Sequence, residues 1–571
     1  MAYGKTRMDQ QLEFRCYPPR ARSHSPARYS PVDVALVAES TYPYLRGGVS
    51  AVMHDILCAN PGARFGIIHI TWDRYAPATP LYEVPENVAW IDHVFLSMKE
   101  HQKDFLDLKV RDLHMRSRER TELSTDLLEA LRSICANDCG PIWQLYDRYM
   151  NPRTRVVPLW PILGSREFMR LVQAESSSHN MSLAALFWLI REFFALGCAL
   201  AGHDYPDASV YHAHTSGYAA VGAAIAARQN DGRFLLTEHN LYVRDTINEM
   251  LDRSMALPVT RGDWSSAEVS ESHRAWMAWL IEMGTVGYHA AHELTYLYPK
   301  ALEEAAVLGA PVARARVIPN GSSLGQFSEP RRKQVERDSL RASSGHHWTL
   351  AYVARVVRIK GLLDLLDALS VVVERGHSRF ELRVMGHADE TPEYLERCKN
   401  RSIELGLQSQ VMFMGSQNLK EAFGEVDLVV LPSHNEGQPL VILEAMTAGV
   451  PVVGTGVGGM EQLLCDPLER DGVVVGPCGI VIEPHAISDM ADAIVRMICD
   501  QGLYSSFREN GPKRIEHAFQ LSDAMSSYTV LYAGMMSPEA EPVAAIDERV
   551  AARDERVAAI DPPRSDLIDV R

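Results

Sequence analysis

Residues 431–464 read LPSHNEGQPLVILEAMTAGVPVVGTGVGGMEQLL, and this stretch decides the predicted fold of the second half of the chain. A short apolar run from Leu428 to Leu431 predicts a buried strand just before it. The segment LVILEAM predicts a helix that begins just after Pro439, and residues 450–453 predict the next buried strand. This order of strand, helix and strand is typical of a parallel α/β sheet.

Two acids stand at the entrance of that helix. Glu436 lies in the Gly/Pro turn, and Glu444 follows eight residues later inside the helix. The first turn of a helix offers unpaired N–H groups and a partial positive charge, so an anionic ligand can bind there beside the acids. The alternative interpretation is that Glu436 is an ordinary acid in a turn, that Glu444 is a solvated helix residue and that the glycines form a plain loop. That alternative is the common one for an isolated pair, but the flanking strands favour a ligand site.

The totals indicate an ordinary globular protein of two domains with additions. The chain has 571 residues, 46% hydrophobic and 23% charged, with a formal net charge of −16. The negative charge argues against nucleic acid or an anionic membrane surface as the main partner. Its nine cysteines are scattered, which indicates reduced thiols of a cytoplasmic protein. Cys135 and Cys139 are close, but no second pair has zinc-finger spacing, so we predict no metal.

The first half also begins with an α/β unit. Residues 32–37 predict a strand, and Gly47 and Gly48 then open a helix where a phosphate or a sugar could approach. Residues 96–202 change to charged, Leu/Met-spaced segments and predict a helical insertion, either a wall of the domain or a docking surface. The most apolar stretch, from Ser182, carries Arg191 and Glu192 at its centre. It predicts a buried or partner-facing helix and no direct membrane span.

Further along, RFLLTEHN places His239 at the carboxyl end of a predicted strand, where open α/β sheets bind ligands. A lone histidine is usually structural, but an apolar strand delivers this one to the expected cleft. His212 and His214 end the strand before it and are supporting candidates. Asn320 lies with Gly321 in the turn that leads to the second domain.

The second domain opens with a predicted strand over residues 350–353, followed by Arg355 and then Lys360 just before a helix. Two cations at a strand-to-helix turn can converge on a pyrophosphate and neutralise it as a leaving group without a metal. An isolated pair of this spacing is more often a surface feature. The two glutamates downstream in the same predicted sheet favour the functional interpretation.

These patterns predict five segments. They are a disordered arm at 1–30, a first domain at 31–330, a second domain at 345–503, helices at 504–536 that cross back to the first domain, and a flexible tail at 537–571. The tail repeats AIDERVA as ARDERVA between residues 545 and 558. Two copies are too few to establish a coiled coil.

Taken together, the motifs resemble glycosyltransferase family 4. They are the paired glycines, TEHN, VIPNG, the Arg355/Lys360 pair and the two glutamates. The resemblance implies the α/β GT-B fold, with two facing Rossmann-like domains, the first for the acceptor and the second for the donor. Four stretches, ESTYPYLRGGVSAVMHDIL, TEHNLYVRDT, GHADETPEYLERC and EGQPLVILEAMTAG, resemble the subgroup of Pel exopolysaccharide synthesis, which the helical insertion also suits.

The resemblance also implies roles. Arg355 and Lys360 would hold the donor diphosphate, Glu436 would lie beside the transferred sugar, Glu444 would bind the ribose and His239 would face the reaction centre. The other implied donor-site residues are Gly47, Gly48, Gly437 and Leu440. The implied reaction is a metal-independent, retaining hexosyl transfer without a cofactor, from UDP-glucose or a UDP-N-acetylhexosamine to a polysaccharide acceptor. Inner-membrane Pel components are the implied protein partners of a cytoplasmic enzyme held peripherally at the inner membrane.

One departure narrows the substrate. Starch and glycogen synthases in the wider group have a lysine two residues before the paired glycines, where this chain has Leu45. An α-glucan elongase is therefore not favoured, and the lack of an Asp-x-Asp motif in the sequence counts against a metal-dependent GT-A enzyme. Two alternatives stay open: a non-catalytic sugar-nucleotide-binding assembly subunit of a polysaccharide export complex, and a GT-B sugar-nucleotide epimerase.

Overall fold

The computed structural model describes residues 29–537 except 76–78, 156–158, 176–181, 252, 254–256, 258, 261, 264–267, 338–340, 342–344, 389–390 and 471. The predicted N-terminal arm lies outside the described residues apart from its last two positions. The predicted tail and its repeat also lie outside them, apart from Ser537.

The first domain contains a seven-stranded parallel sheet in the order β3-β2-β1-β4-β5-β6-β7. Its inner strands are apolar on both faces because helices cover both sides, and the side chains of Val34 to Val37 are fully buried. The strands are β1 (Val32–Glu39), β2 (Phe65–Thr71), β3 (Val88–Phe95), β4 (Ala208–Ala213), β5 (Arg233–Glu238), β6 (Glu293–Tyr296) and β7 (Ala315–Val317).

Between β3 and β4 every described element is helical, over a region with a small apolar core of its own around Leu127, Trp160 and Phe168. Its α-helices are α2 (Ser117–Cys135), α3 (Gly140–Leu145), α4 (Arg166–Glu175) and α5 (Leu183–Ala201), and its short 3₁₀ or π turns are Met98–His101, Gln102–Leu106, Val110–Leu113, Tyr146–Met150 and Trp160–Gly164. The other helices of this domain are α1 (Gly48–Ala59), α6 (Tyr218–Asn230), α7 (Tyr242–Met250), α8 (Glu271–Ala290) and α9 (Pro299–Val307), with a 3₁₀ turn at Val312–Arg314.

Helix α5 is covered by the rest of the chain over only part of its length. Among the described residues it is the one helix whose length and composition would allow it to cross a membrane, over Ala184–Ala201 with a mean hydropathy of 1.7, yet only 28% of that window is buried. Trp188 is 67% exposed, whereas Phe193 packs on Trp276 and Trp279 of α8. Of the two predicted alternatives, a helix buried over most of this window is therefore not observed, whereas a partner-facing helix and the absence of a membrane span stay predictions.

The second domain contains a six-stranded parallel sheet in the order β10-β9-β8-β11-β12-β15 and a small antiparallel pair, β13-β14. Its strands are β8 (Trp348–Val353), β9 (Phe380–Met385), β10 (Val411–Phe413), β11 (Leu428–Leu431), β12 (Val452–Thr455), β13 (Leu468–Arg470), β14 (Val473–Val475) and β15 (Gly479–Ile482). Its helices are α10 (Ser328–Glu336), α11 (Leu362–Glu374), α12 (Pro392–Glu404), α13 (Leu419–Ala422), α14 (Leu440–Ala448), α15 (Met460–Leu464), α16 (Ile487–Cys499) and α17 (Gln501–Ala518), with a 3₁₀ turn at Arg358–Lys360.

The last helix, α18 (Leu521–Met535), returns to the first domain. Tyr528 and Tyr532 enter the core beside β1 and α1, and the Tyr532 hydroxyl lies 2.7 Å from His212 Nδ1. Helix α18 lies within the segment 504–536 that is predicted to cross back to the first domain. The preceding α17 stays on the second domain, because Tyr504 is buried in the core of that domain and its hydroxyl donates to the Asp427 carbonyl at 2.8 Å.

Both sheets confirm the predicted architecture of two Rossmann-like domains. In each, the strand order reverses next to the first strand, between β1 and β4 in one domain and between β8 and β11 in the other. Ligands of open α/β sheets bind outside the carboxyl ends of the strands at such a reversal. The fold therefore points to the loops after these four strands as the ligand-binding region.

Candidate active site

The loop after β11 belongs to the second domain and contacts the first domain. A Cβ atom at Gly437 would lie 1.8 Å from the carbonyl oxygen of His239, which belongs to the loop after β5. The Asn320 backbone N–H donates to Gln438 Oε1 at 2.5 Å, and the Asn320 side-chain amide donates to the Gln438 carbonyl at 3.0 Å. Only a glycine permits so close an approach of the two backbones, so Gly437 and His239 are in direct contact where the two domains meet, and we call this meeting place the cleft.

The Lys360 ammonium and the Glu436 carboxylate form an ion pair in this cleft. Lys360 Nζ donates to Glu436 Oε1 at 2.7 Å, and the Ser433 hydroxyl donates to the same oxygen at 2.7 Å. The two charged side chains are only 18% and 10% exposed, so the low local dielectric strengthens their attraction. An incoming diphosphate can bind the Lys360 ammonium as well. The Glu436 carboxylate then lies beside the chemical group that is attached to the diphosphate.

Two helices begin at residues of the predicted donor site. Helix α14 begins after Pro439 and α1 begins after Gly47, and neither has a side-chain cap for its first N–H groups. A Cβ atom at Gly47 or Gly48 would meet nothing within 4 Å, so the paired glycines border open space. Uncapped N–H groups with a partial positive charge are suited to bind phosphate oxygens.

Arg355 follows β8 and is exposed, with its backbone carbonyl accepting a hydrogen bond from the Tyr352 hydroxyl at 3.0 Å. Lys360 lies five residues further on, in the 3₁₀ turn before α11. The two cations therefore occupy the same strand-to-helix connection. Whether both contact one diphosphate stays a prediction.

His239 belongs to a histidine network. His239 Nε2 lies 2.9 Å from His214 Nδ1, and the His214 ring lies 4.0 Å from that of His212. Burial lowers the pKa of His239 to about 4 and the pKa of His214 well below its ordinary value. Both rings are therefore neutral at pH 7, and His239 can exchange hydrogen bonds with a sugar hydroxyl but carries no charge. His212 bonds Tyr532 and Thr237 through its two nitrogens, which indicates a structural role.

Glu444 lies apart from Glu436, in the second turn of α14. Burial raises its pKa to about 7, with a smaller lowering effect of the Lys420 ammonium of α13 and a smaller raising effect of the Asp55 carboxylate of α1 included in that value. Burial likewise raises the pKa of Asp55 to about 6. Glu444 is partly buried, which argues against the solvated alternative, and its assignment to the ribose stays a prediction. Glu444 and Asp55 come from different domains and are close enough for their charges to interact.

The raised pKa of Glu444 predicts a pH-dependent stability. Between about pH 4.5 and 7 the folded protein binds a proton that the unfolded chain has released, so the free energy of unfolding falls as pH rises. We expect Glu444→Gln to raise the free energy of unfolding by about 1–3 kcal/mol at pH 8 and to change it little near pH 4.5. Thermal unfolding at both pH values, with the exposed Glu461→Gln as control, measures this. An equal gain at both pH values would contradict the assignment.

Leu440 is the first residue of α14 and packs against the core of the first domain, so it fixes the position of the helix N-terminus. One contact between the two domains was not predicted from the sequence: the Arg244 guanidinium, buried among acids, donates to Asn435 Oδ1 at 3.2 Å. These two residues are 191 positions apart. The available signal was that Asn435 directly precedes Glu436 and that Arg244 follows His239 in the same loop and helix.

Two family models match the chain. Residues 32–313 match the model described as "Domain of unknown function (DUF3492)". Residues 336–514, the part that carries Arg355, Lys360 and both glutamates, match "Glycosyl transferases group 1".

Among curated proteins, D-inositol 3-phosphate glycosyltransferase of Corynebacterium jeikeium is 31% identical over 214 residues, which are 36% of this chain and 48% of that protein. The chain spans about half the length of the curated relatives it matches first. The similarity therefore covers roughly one domain.

Solved structures share the whole two-domain fold. Sucrose-phosphate synthase of Thermosynechococcus elongatus has a TM-score of 0.52 at 16% identity, covering 89% of this chain and 99% of that one. Anabaena Alr3699/HepE in complex with UDP and glucose has a TM-score of 0.52 at 14% identity, covering 88% and 100%. At these identities the likeness concerns the fold alone, and it confirms the predicted GT-B architecture.

Proposed function

We propose that this protein, whose residues 336–514 match glycosyltransferase group 1, is a retaining, metal-independent glycosyltransferase that moves a hexose from a UDP-sugar to a growing exopolysaccharide. The observation that carries the proposal is the largely buried Lys360–Glu436 pair just before the uncapped start of α14, in a loop whose Gly437 packs on the His239 carbonyl of the other domain. A cation, open helix N–H groups and an acid meet there in one cleft. An activated, negatively charged sugar donor needs these three elements.

In this scheme the bond between the sugar C1 and the diphosphate oxygen breaks, and the Lys360 ammonium stabilises the charge that develops on that oxygen. Preorganised cations and dipoles of this kind contribute several kcal/mol to the stabilisation of a transition state. The Glu436 carboxylate faces the positive charge on the sugar. The acceptor hydroxyl forms the new bond to C1, and its proton leaves with the diphosphate. No step requires a metal or another cofactor.

Two observations support the finer assignment to a PelF-like transferase of Pel exopolysaccharide synthesis. The four stretches that resemble this subgroup include the Gly47–Gly48 turn and the loop of Glu436, and the insertion between β3 and β4 is helical throughout its described part. UDP as the carrier is supported by the shared fold with Anabaena HepE, whose structure holds UDP and glucose. UDP-glucose and a UDP-N-acetylhexosamine are both retained as donors. The enzyme would act in the cytoplasm beside inner-membrane Pel components.

The two alternatives predict different products. An assembly subunit would bind a sugar nucleotide without releasing UDP, even when partner proteins are added. An epimerase would interconvert the sugar of the donor without any acceptor. A thermal-shift and UDP-release screen of the purified protein over UDP-, GDP- and ADP-sugars separates all three functions, and release of nucleoside diphosphate only with an acceptor supports the transferase.

The variant Glu436→Ala tests the role of the acid. Removing the carboxylate frees the Lys360 ammonium for the diphosphate, so we expect UDP to bind with unchanged or higher affinity. Loss of the acid beside C1 should lower kcat by about 10²–10³-fold. Isothermal titration with UDP and a UDP-release assay measure the two effects, with the exposed Glu396→Ala as control. An undiminished kcat would remove Glu436 from the reaction.

A further inference from the structure

Two histidines and an aspartate form a compact cluster behind the Lys360–Glu436 pair. Asp364 Oδ2 lies 2.9 Å from His434 Nε2 and 2.9 Å from His485 Nδ1. One potential metal-binding atom from each residue lies within 4.8 Å of the others. The three side chains come from the first turn of α11, the loop after β11 and the loop before α16, so three separate segments meet at one point.

This donor set suits a transition metal ion. Two neutral imidazoles and one carboxylate are typical ligands of Zn²⁺, and a solvent molecule completes a tetrahedron. Bonds of about 2.0–2.2 Å to zinc place ligand atoms about 3.3–3.6 Å apart in a tetrahedron. The two 2.9 Å contacts with Asp364 Oδ2 therefore need to open by about 0.4–0.7 Å to admit the ion, and the two histidine nitrogens already lie within 4.8 Å of each other.

The surrounding backbone holds the ligands in place. The His434 backbone N–H donates to the Ile359 carbonyl at 2.8 Å, and a Cβ atom at Gly361 would lie 3.2 Å from His434 Nε2. A larger residue at 361 would crowd that nitrogen. His485 has a φ of 63°, a left-handed conformation that is uncommon for residues other than glycine. Its side chain is 63% exposed, whereas those of His434 and Asp364 are 18% and 19% exposed, so solvent can deliver an ion from one side.

We propose that Asp364, His434 and His485 bind one divalent transition metal ion of the zinc class. The ion takes no part in the transfer reaction. It fixes the loop of Glu436 to the helix that follows Lys360, because His434 lies two residues before Glu436 and Asp364 lies four residues after Lys360. The effect on the donor site rests on the proposed function, whereas metal binding does not.

The test uses ZnCl₂ and the full chain freed of metal with a chelator. His485→Asn removes one ligand and suits the left-handed backbone, and His347→Asn makes the same change at an exposed histidine of the same domain. Isothermal titration should show one Zn²⁺ per wild-type chain, an affinity at least about tenfold lower for His485→Asn, and no change for His347→Asn. Zn²⁺ should also raise the Tm of the wild type more than that of His485→Asn.

Equal Zn²⁺ affinity in the wild type and His485→Asn, or no Zn²⁺ binding by the wild type, would overturn the proposal and leave a hydrogen-bonded His–Asp–His cluster. UDP binding by each metal-free variant is measured in parallel. If UDP does not bind and Zn²⁺ does, the proposed function fails and the metal site stands. If UDP binds and Zn²⁺ does not, the metal site alone fails.

Discussion

Replacing Lys360 with alanine should lower kcat/KM for a UDP-sugar by about 10²–10³-fold and weaken UDP binding as well. The ammonium is the partly buried partner of Glu436, at 2.7 Å. Its loss leaves a carboxylate with a single neutral donor, Ser433, at the position where the diphosphate should bind. The variant thus removes an attraction and exposes the donor to like-charge repulsion, so both binding and transfer should suffer.

The control for this variant is Lys399→Ala, since Lys399 is 41% exposed and pairs with Glu396 on the surface of the same domain. Isothermal titration with UDP measures the effect on UDP affinity, and the rate of UDP release measures the effect on transfer. Full UDP affinity in Lys360→Ala would show that the diphosphate binds elsewhere.

Gly437→Ala should impair the reaction strongly through a single added methyl group. The new Cβ would lie 1.8 Å from the His239 carbonyl oxygen, where real contacts are never this short, so backbone of one domain must move away from the other. A displacement of about 1 Å at a reacting centre can cost about 10²-fold in rate. We expect kcat/KM to fall by about this factor while far-UV circular dichroism stays unchanged, because both sheets remain intact.

Gly502→Ala is the matched control, as its Cβ would make only an ordinary contact at 3.5 Å with a side-chain oxygen of Asp500. Wild-type kinetics of Gly437→Ala would mean that the two domains do not need to approach each other at this point during turnover.

The fold could be predicted from the sequence because inner strands such as β1, β8, β11 and β12 are largely apolar and buried, and a helix follows each of them. The same regularity places Lys360, Glu436 and His239 correctly at strand ends. The pairing of Lys360 with Glu436 was not predictable, since the two residues are 76 positions apart and only the fold brings them together. The roles predicted for them were separate, with Lys360 at the diphosphate and Glu436 beside the transferred sugar.

Long separation also hid the metal cluster. Asp364 is 70 residues from His434 and 121 residues from His485, and neither spacing matches a local metal-binding motif. Whether helix α5 is buried or partner-facing was left open for another reason. Composition reveals how apolar a helix is, but the faces that its neighbours cover depend on tertiary packing, here on the contact of Phe193 with α8.

The most direct test of the central claim is hydrogen–deuterium exchange with and without UDP. If the donor binds between the domains, UDP should protect peptides that contain residues 355–361 and 433–444 of the second domain, together with peptides around Gly48 and His239 of the first. Protection confined to other peptides, or no protection at saturating UDP, would contradict the assignment of this cleft as the donor site.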